Sequence, residues 1–125
     1  RDPYDMTTVD KDSVDKSVMT VFKVLLDRSK VDKNFEVILC SGRDESALEL
    51  TKNWLIGNSI FEANRIRSYF RKVGDGRVDW VVKQEMWNEI EKTNNIICMF
   101  DDRLQVTRRA RMLGYKVFNV DYNNF

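Results

Sequence analysis

Two short apolar runs constrain this chain more than any other feature. Phe35 to Ser41 reads FEVILCS and Ile96 to Phe100 reads IICMF, and each is followed by a segment whose apolar residues recur every three or four positions. Runs of this length suit buried strands, since a membrane span needs roughly 20 apolar residues. Strands separated by helices of this size must be joined by crossovers, which produces a parallel sheet covered on both faces. The expected class is therefore α/β, with a three-layer, Rossmann-like parallel sheet. Ligands of such sheets bind beyond the carboxyl ends of the strands.

The remaining elements follow from spacing and punctuation. A helix through Lys30, capped by Asp12 or Ser13, is expected from the recurrence of Val14, Val18, Val21, Phe22, Leu25 and Leu26. Ser41-Gly42-Arg43 should turn the chain, and Asp44 should cap a helix bearing Ala47, Leu48, Thr51, Trp54 and Leu55 that Gly57 terminates. Arg65 to Phe70 alternates as a strand does, Gly74-Asp75-Gly76 marks a loop, and Asp79 to Thr93 is helical with Val82, Met86 and Ile90 in register. Leu104 to Leu113 is the last helix, stopped by Gly114, and Tyr115 to Val120 is the last strand.

Composition narrows the chemistry. The 125 residues suit one domain spanning 1–125, and a formal charge of +1 gives no overall field for holding a polyanion, so any such site must be local. With no His in the chain, imidazole bases, Ser-His or Cys-His nucleophile pairs and His-containing zinc sites are excluded, leaving carboxylates, Lys, Arg, Ser and Tyr. Cys40 and Cys98 sit inside apolar runs, as small core residues of a reducing compartment do. No signal-peptide pattern is read in these 125 residues, and a soluble cytoplasmic protein that does not enter membranes is expected.

Four features have chemical content. Asp101 and Asp102 lie where the IICMF strand ends, and two adjacent carboxylates can hold a hard cation such as Mg2+; equally, one can cap the helix at Leu104 while the other is solvated. Ser41-Gly42-Arg43 offers a hydroxyl and free N–H groups to a phosphate oxygen, or is an ordinary strand-to-helix turn. Asp79 and Lys83 share a helix face, so that a fixed ammonium could meet a phosphoryl group, although most such pairs only decorate a surface. Arg65, Arg67, Arg71, Lys72 and Arg77, interleaved with Tyr69 and Phe70, suit either a nucleic-acid groove or a solvated edge.

Taken in order, a strand-ending Ser41, then Lys83, then a strand followed by Asp101-Asp102, the chain resembles the haloacid dehalogenase superfamily of phosphotransferases. The likeness sharpens to the 3'-phosphatase domains of phage polynucleotide kinase/phosphatases. It rests on Arg1, Pro3, Tyr4 and Asp5, Ser41-Gly42-Arg43, Arg71 and Gly74-Asp75, Asp79, Val81-Val82-Lys83, Asp101-Asp102-Arg103, Gln105-Val106 and Phe125, and so spans essentially the whole chain. Asp2 departs from the glycine that the family pattern has after Arg1.

The resemblance implies Mg2+-dependent removal of 3'-phosphate from RNA or DNA ends, as in nucleic-acid repair, with a fused or associated kinase or ligase domain and, for a phage protein, a place in the host cytoplasm. It makes Ser41 and Lys83 the phosphoryl-binding residues, Asp79 the group that orients Lys83, and Asp102 with Asp101 the metal ligands. Arg1, Gly42, Arg43, Arg71, Arg77 and Arg103 would line the substrate. The family's first motif, Asp-x-Asp-Gly-Thr, whose first Asp is the nucleophile, is not among the 125 residues. Its strand would be the central one, between those of Cys40 and Cys98, and both are expected upstream in a longer polypeptide. A phosphate-binding module without turnover, or a receiver-type α/β domain, would read similarly from fewer features.

Overall fold

The computed structural model describes residues 15–123; Arg1, Pro3, Tyr4, Asp5, the expected caps Asp12 and Ser13, and Phe125 lie outside them. The chain divides after Asp75 into two compact units.

In the first unit, α1 spans Lys16–Val31 and is capped by Asp15, whose carboxylate accepts from the Ser17 and Val18 N–H groups. Arg28 and Lys30 in its last turn complement the helix dipole. β1 spans Ile38–Asp44, α2 Leu48–Gly57 and β2 Arg67–Arg71. Met19 and Leu26 of α1 and Leu55 of α2 pack with Ile60, Ala63 and Ile66, joined at the edge by Phe22, Val37, Leu39 and Trp54. Each fully buried side chain of this kind contributes about 1.5 to 3 kcal/mol.

β1 and β2 pair in parallel from Ile38 opposite Arg67. Both begin later than the sequence suggests, because Ala63–Arg65 form a single 3-10 turn that buries Ala63, so that the ladder starts only at Ile38 and Arg67. Nor is Gly57 the stop of α2. Asn58 caps that end, its amide donating to the Trp54 carbonyl at 2.8 Å, and Ser59 takes the left-handed conformation at φ 70°.

In the second unit, α3 spans Asp79–Glu91, β3 Met99–Arg103, α4 Leu104–Met112 and β4 Val117–Asn123. β3 and β4 are parallel from Met99 opposite Val117. The strand therefore starts three residues beyond Ile96, which packs instead against the cluster of Trp87, Val106, Ala110 and Val117. Trp87 meets Tyr115 edge-on at 5.7 Å, and burial, reinforced by the Glu91 carboxylate, pushes the Tyr115 hydroxyl up to about 12. Val82, Met86 and Ile90 are buried as their spacing requires.

Among the described residues, the strands thus form two parallel pairs. Among the described residues, no helix is long and apolar enough to cross a membrane.

Gly114 does stop α4. At φ 96° it lets its own N–H reach the Arg111 carbonyl at 3.0 Å and the Tyr115 N–H reach the Ala110 carbonyl at 3.0 Å, a Schellman closure. An added Cβ would meet no atom within 4 Å at either Gly57 or Gly114, so backbone conformation alone separates them. Gly114→Ala should destabilise by about 1 kcal/mol while Gly57→Ala stabilises by about 0.5 kcal/mol. Equilibrium urea denaturation of the two variants checks the opposite signs.

Candidate active site

The carboxyl ends of β1 and β3 both depart from regular pairing. In the first unit Ser41 lies opposite Phe70 but Asp44 lies opposite Arg71, so Gly42 and Arg43 stand out of the ladder. What reads as a turn in the sequence is a bulge inside a strand, which re-aims its side chains. The Ser41 hydroxyl oxygen accepts from the Arg43 N–H at 3.1 Å. Arg71 pins this bulge from the neighbouring strand: its Nε donates to the Gly42 carbonyl at 2.8 Å and its Nη1 to the Asp75 carbonyl at 2.9 Å. The second bond ties the end of β2 to the Gly74 loop, where φ is 86°.

Asp44 caps the 3-10 turn Glu45–Ala47, accepting from the backbone N–H and the hydroxyl of Ser46. The Ser46 hydroxyl first, then its N–H, and with them the Arg71 charge, hold the Asp44 carboxyl below its ordinary value.

The second unit assembles four charged side chains. Asp79 and Lys83 lie one helical turn apart on α3, and both are buried. Asp101 and Arg103 lie two apart on β3 and therefore share a strand face, half-buried with Met99. The Lys83 ammonium donates to Asp101 Oδ2 at 2.7 Å, and Arg103 Nη1 donates to Asp79 Oδ2 at 3.0 Å. Asp101 Oδ1 in turn accepts the Arg103 backbone N–H at 2.9 Å, just where β3 passes directly into α4. Helix and strand are thereby cross-linked by two ion pairs running in opposite chain directions.

Asp102 points the other way. It is exposed, on the face that also carries Phe100, which stacks on Phe118 of β4 at 5.1 Å between ring centroids. Arg103, not either aspartate, is the N-cap residue of α4, and it makes no side-chain cap bond. Arg77 is bound to Glu85 of α3, with one of its two contacts at 2.9 Å. Arg1 lies outside the described residues. Among those residues, no three carboxylate or thiol side chains converge as a metal would require.

The sequence pairs Asp79 with Lys83 by spacing but gives no hint that the strand supplies a partner for each. A signal exists in retrospect: Asp-x-x-x-Lys on a helix matches Asp-x-Arg on a strand, charge for charge, once the strand is set to begin at Met99. The acceptors of Arg71 could not have been found, because both are backbone carbonyls.

Comparison with known proteins places this geometry. The family model of the polynucleotide kinase PNKP phosphatase domain matches residues 1–125. The chain belongs to that family. Its fold is accordingly haloacid dehalogenase-like, and the receiver-type reading falls away. A solved Pnkp1/Rnl/Hen1 complex contains a chain to which this one is similar, with TM-score 0.85 and 30% identity over 100% of this chain and 41% of that one. A second structure, of the Pnkp1/Rnl/Hen1 RNA repair complex, gives TM-score 0.83 and 29% identity over 100% of this chain and 38% of that one. This PNKP-family chain therefore spans about two fifths of the solved chains it matches. No curated protein sequence matches it.

Because Asp44 has a lowered pKa, its contribution to stability is fully present above the ordinary value of 3.8 and is lost as pH falls through that value toward the lowered native one. Ser46→Ala removes the largest cause. The Asp44 carboxyl should then titrate closer to its ordinary value by NMR, and the stability difference between the two proteins should vanish in acid.

Proposed function

We propose that this chain is the larger part of a polynucleotide 3'-phosphatase domain, one domain over 1–125 together with a first-motif strand, acting on RNA ends in repair. The observation that carries the reading is the family match over the whole chain, joined to a lysine buried on α3 and held to Asp101 at the carboxyl end of β3. RNA is favoured over DNA because one of the similar structures is described as an RNA repair complex, and the same description suggests action within an assembly of repair proteins.

In this reading Ser41 and Lys83 bind the phosphoryl group. Accepting from the Arg43 N–H occupies a lone pair of Ser41, so the hydroxyl proton is available to a phosphate oxygen. Arg43 adds positive charge beside it, and Arg71 keeps the bulge in shape. Lys83, desolvated and fixed, offers an ammonium that need not reorganise as charge builds on the transferring group. An aspartate of an Asp-x-Asp segment outside the 125 residues attacks phosphorus, and the bond to the sugar 3'-oxygen breaks as the second aspartate protonates that oxygen. Water then attacks the phosphorus of the aspartyl-phosphate, releasing inorganic phosphate and the free carboxylate.

Mg2+ fits the oxygen chemistry of Asp102, whose exposed carboxylate stands at the strand end. When bound, the ion would offset charge on the phosphoryl oxygens. Its other ligands would come from first-motif carboxylates, water and substrate.

The test is phosphate release from 3'-phosphorylated RNA and DNA oligonucleotides by the full-length polypeptide. Turnover is expected, faster on RNA, and Lys83→Ala should lower kcat about 100-fold or more. A coding sequence with no Asp-x-Asp pair ahead of Arg1, and a protein that releases no phosphate, would sink the reading; tight binding of phosphorylated ends without turnover would favour a binding module instead.

The two aspartates should also separate by thermal denaturation with and without Mg2+. Asp102→Asn should abolish the Mg2+-induced rise in Tm while leaving the metal-free Tm unchanged or higher. Asp101→Asn should cost about 3 kcal/mol in either condition, because it leaves Lys83 buried without its carboxylate. Equal Mg2+-induced shifts in wild type and Asp102→Asn would exclude Asp102 as a ligand.

A further inference from the structure

Arg103 stands next to the two aspartates at the end of β3, where an arginine would ordinarily be expected to grip the substrate. Its side chain does something else. It is largely buried, and Nη1 lies 3.0 Å from Asp79 Oδ2, a carboxylate only 3% exposed at the start of α3. Asp79 is one helical turn from Lys83 and so within reach of its ammonium. Two anions, the buried Asp79 and the half-buried Asp101, thus stand near one lysine, and how that lysine divides between them depends on what else neutralises Asp79.

We infer that Arg103 is a positioning residue: by neutralising Asp79 it leaves the Lys83 ammonium directed to Asp101 at the carboxyl end of β3. The inference rests on the phosphatase reading for what Lys83 does, but the device is visible in the geometry alone. Asp101 binds the ammonium through Oδ2 at 2.7 Å and the Arg103 N–H through Oδ1 at 2.9 Å, so a single residue, Arg103, fixes the aspartate through its backbone and releases the lysine through its side chain. Without the guanidinium, Asp79 becomes a buried anion whose nearest helix neighbour of opposite charge is Lys83, and the ammonium is drawn back along α3.

This makes the effect of Arg103 conditional on Asp79. In the full-length protein, Arg103→Gln should lower kcat for release of phosphate from a 3'-phosphorylated oligonucleotide at least 10-fold with little change in KM. Asp79→Asn should do similar damage, since it strands the guanidinium. The double variant Arg103→Gln with Asp79→Asn replaces the pair by two neutral amides that can hydrogen-bond, and should have a kcat above that of either single variant, because neither a buried anion nor a stranded guanidinium remains. Arg103→Lys, which keeps the charge, should retain most of kcat. A direct phosphate-gripping arginine predicts the reverse pattern: the double variant no better than the worse single one, and a raised KM in Arg103→Lys because the planar fork is lost. Should the single variants fail to fold, Arg103→Lys still decides: a raised KM, or a kcat lowered 10-fold or more, in a folded Arg103→Lys variant overturns the inference. If wild type itself releases no phosphate, the phosphatase reading has failed instead, and the two failures are distinguishable.

Discussion

The ion pair between Lys83 and Asp101 is the interaction on which the second unit's architecture turns. Removing two charges from water costs several kcal/mol each, and a pair repays this only when geometry is good and the remaining polar atoms are bonded. Here neighbours rather than the pair itself serve part of this requirement. Asp101 keeps its second oxygen on the Arg103 N–H, and Arg103 is in turn anchored to Asp79. None of the four could be buried alone. Their mutual dependence sets α3 against β3 in one register, because sliding the helix by a turn would bring like charges together.

A comparable logic, with backbone in place of side chains, governs the first unit. A strand that bulges after Ser41 exposes a carbonyl that the ladder no longer satisfies, and the Arg71 guanidinium takes it. The same fork reaches the Asp75 carbonyl, so the bulge and the loop after β2 are held by one side chain. Arg71, which the resemblance sets against the substrate, also holds the scaffold around Ser41. That both Arg71 and Arg103 are engaged in this way follows from the guanidinium's geometry: several N–H donors in a rigid plane can bridge groups that a lysine can meet only one at a time.

Element type was legible in the sequence, and element boundaries were not, for one physical reason. Hydrophobic periodicity reports burial, whereas a strand exists only where another strand pairs with it. Val37 and Ile96 are apolar and pack on their cores, yet the ladders begin at Ile38 and Met99, where Arg67 and Val117 become available. Gly57 and Gly114 show the same limit. Both look like stops, but only Gly114 has a left-handed conformation, because Asn58 and Ser59 already close α2. Of the site, residue types and order were readable; which charge meets which was not, since it depends on the three-residue offset of β3.

That offset also answers why the chain places two carboxylates side by side. If β3 ended at Phe100, Asp101 and Asp102 would sit together in a loop and repel. Because the strand continues through Arg103, the alternation of the pleat sends them to opposite faces. Asp101 is drawn inward to an ammonium, and Asp102 is left outward at the carboxyl edge. Adjacent in sequence, the two occupy different environments, one half-buried against an ammonium and one exposed. On a strand, neighbouring residues face opposite ways, so the partner of a fixed cation and an outward carboxylate can come from adjacent positions, whereas a helix would turn the second carboxylate by only about 100°.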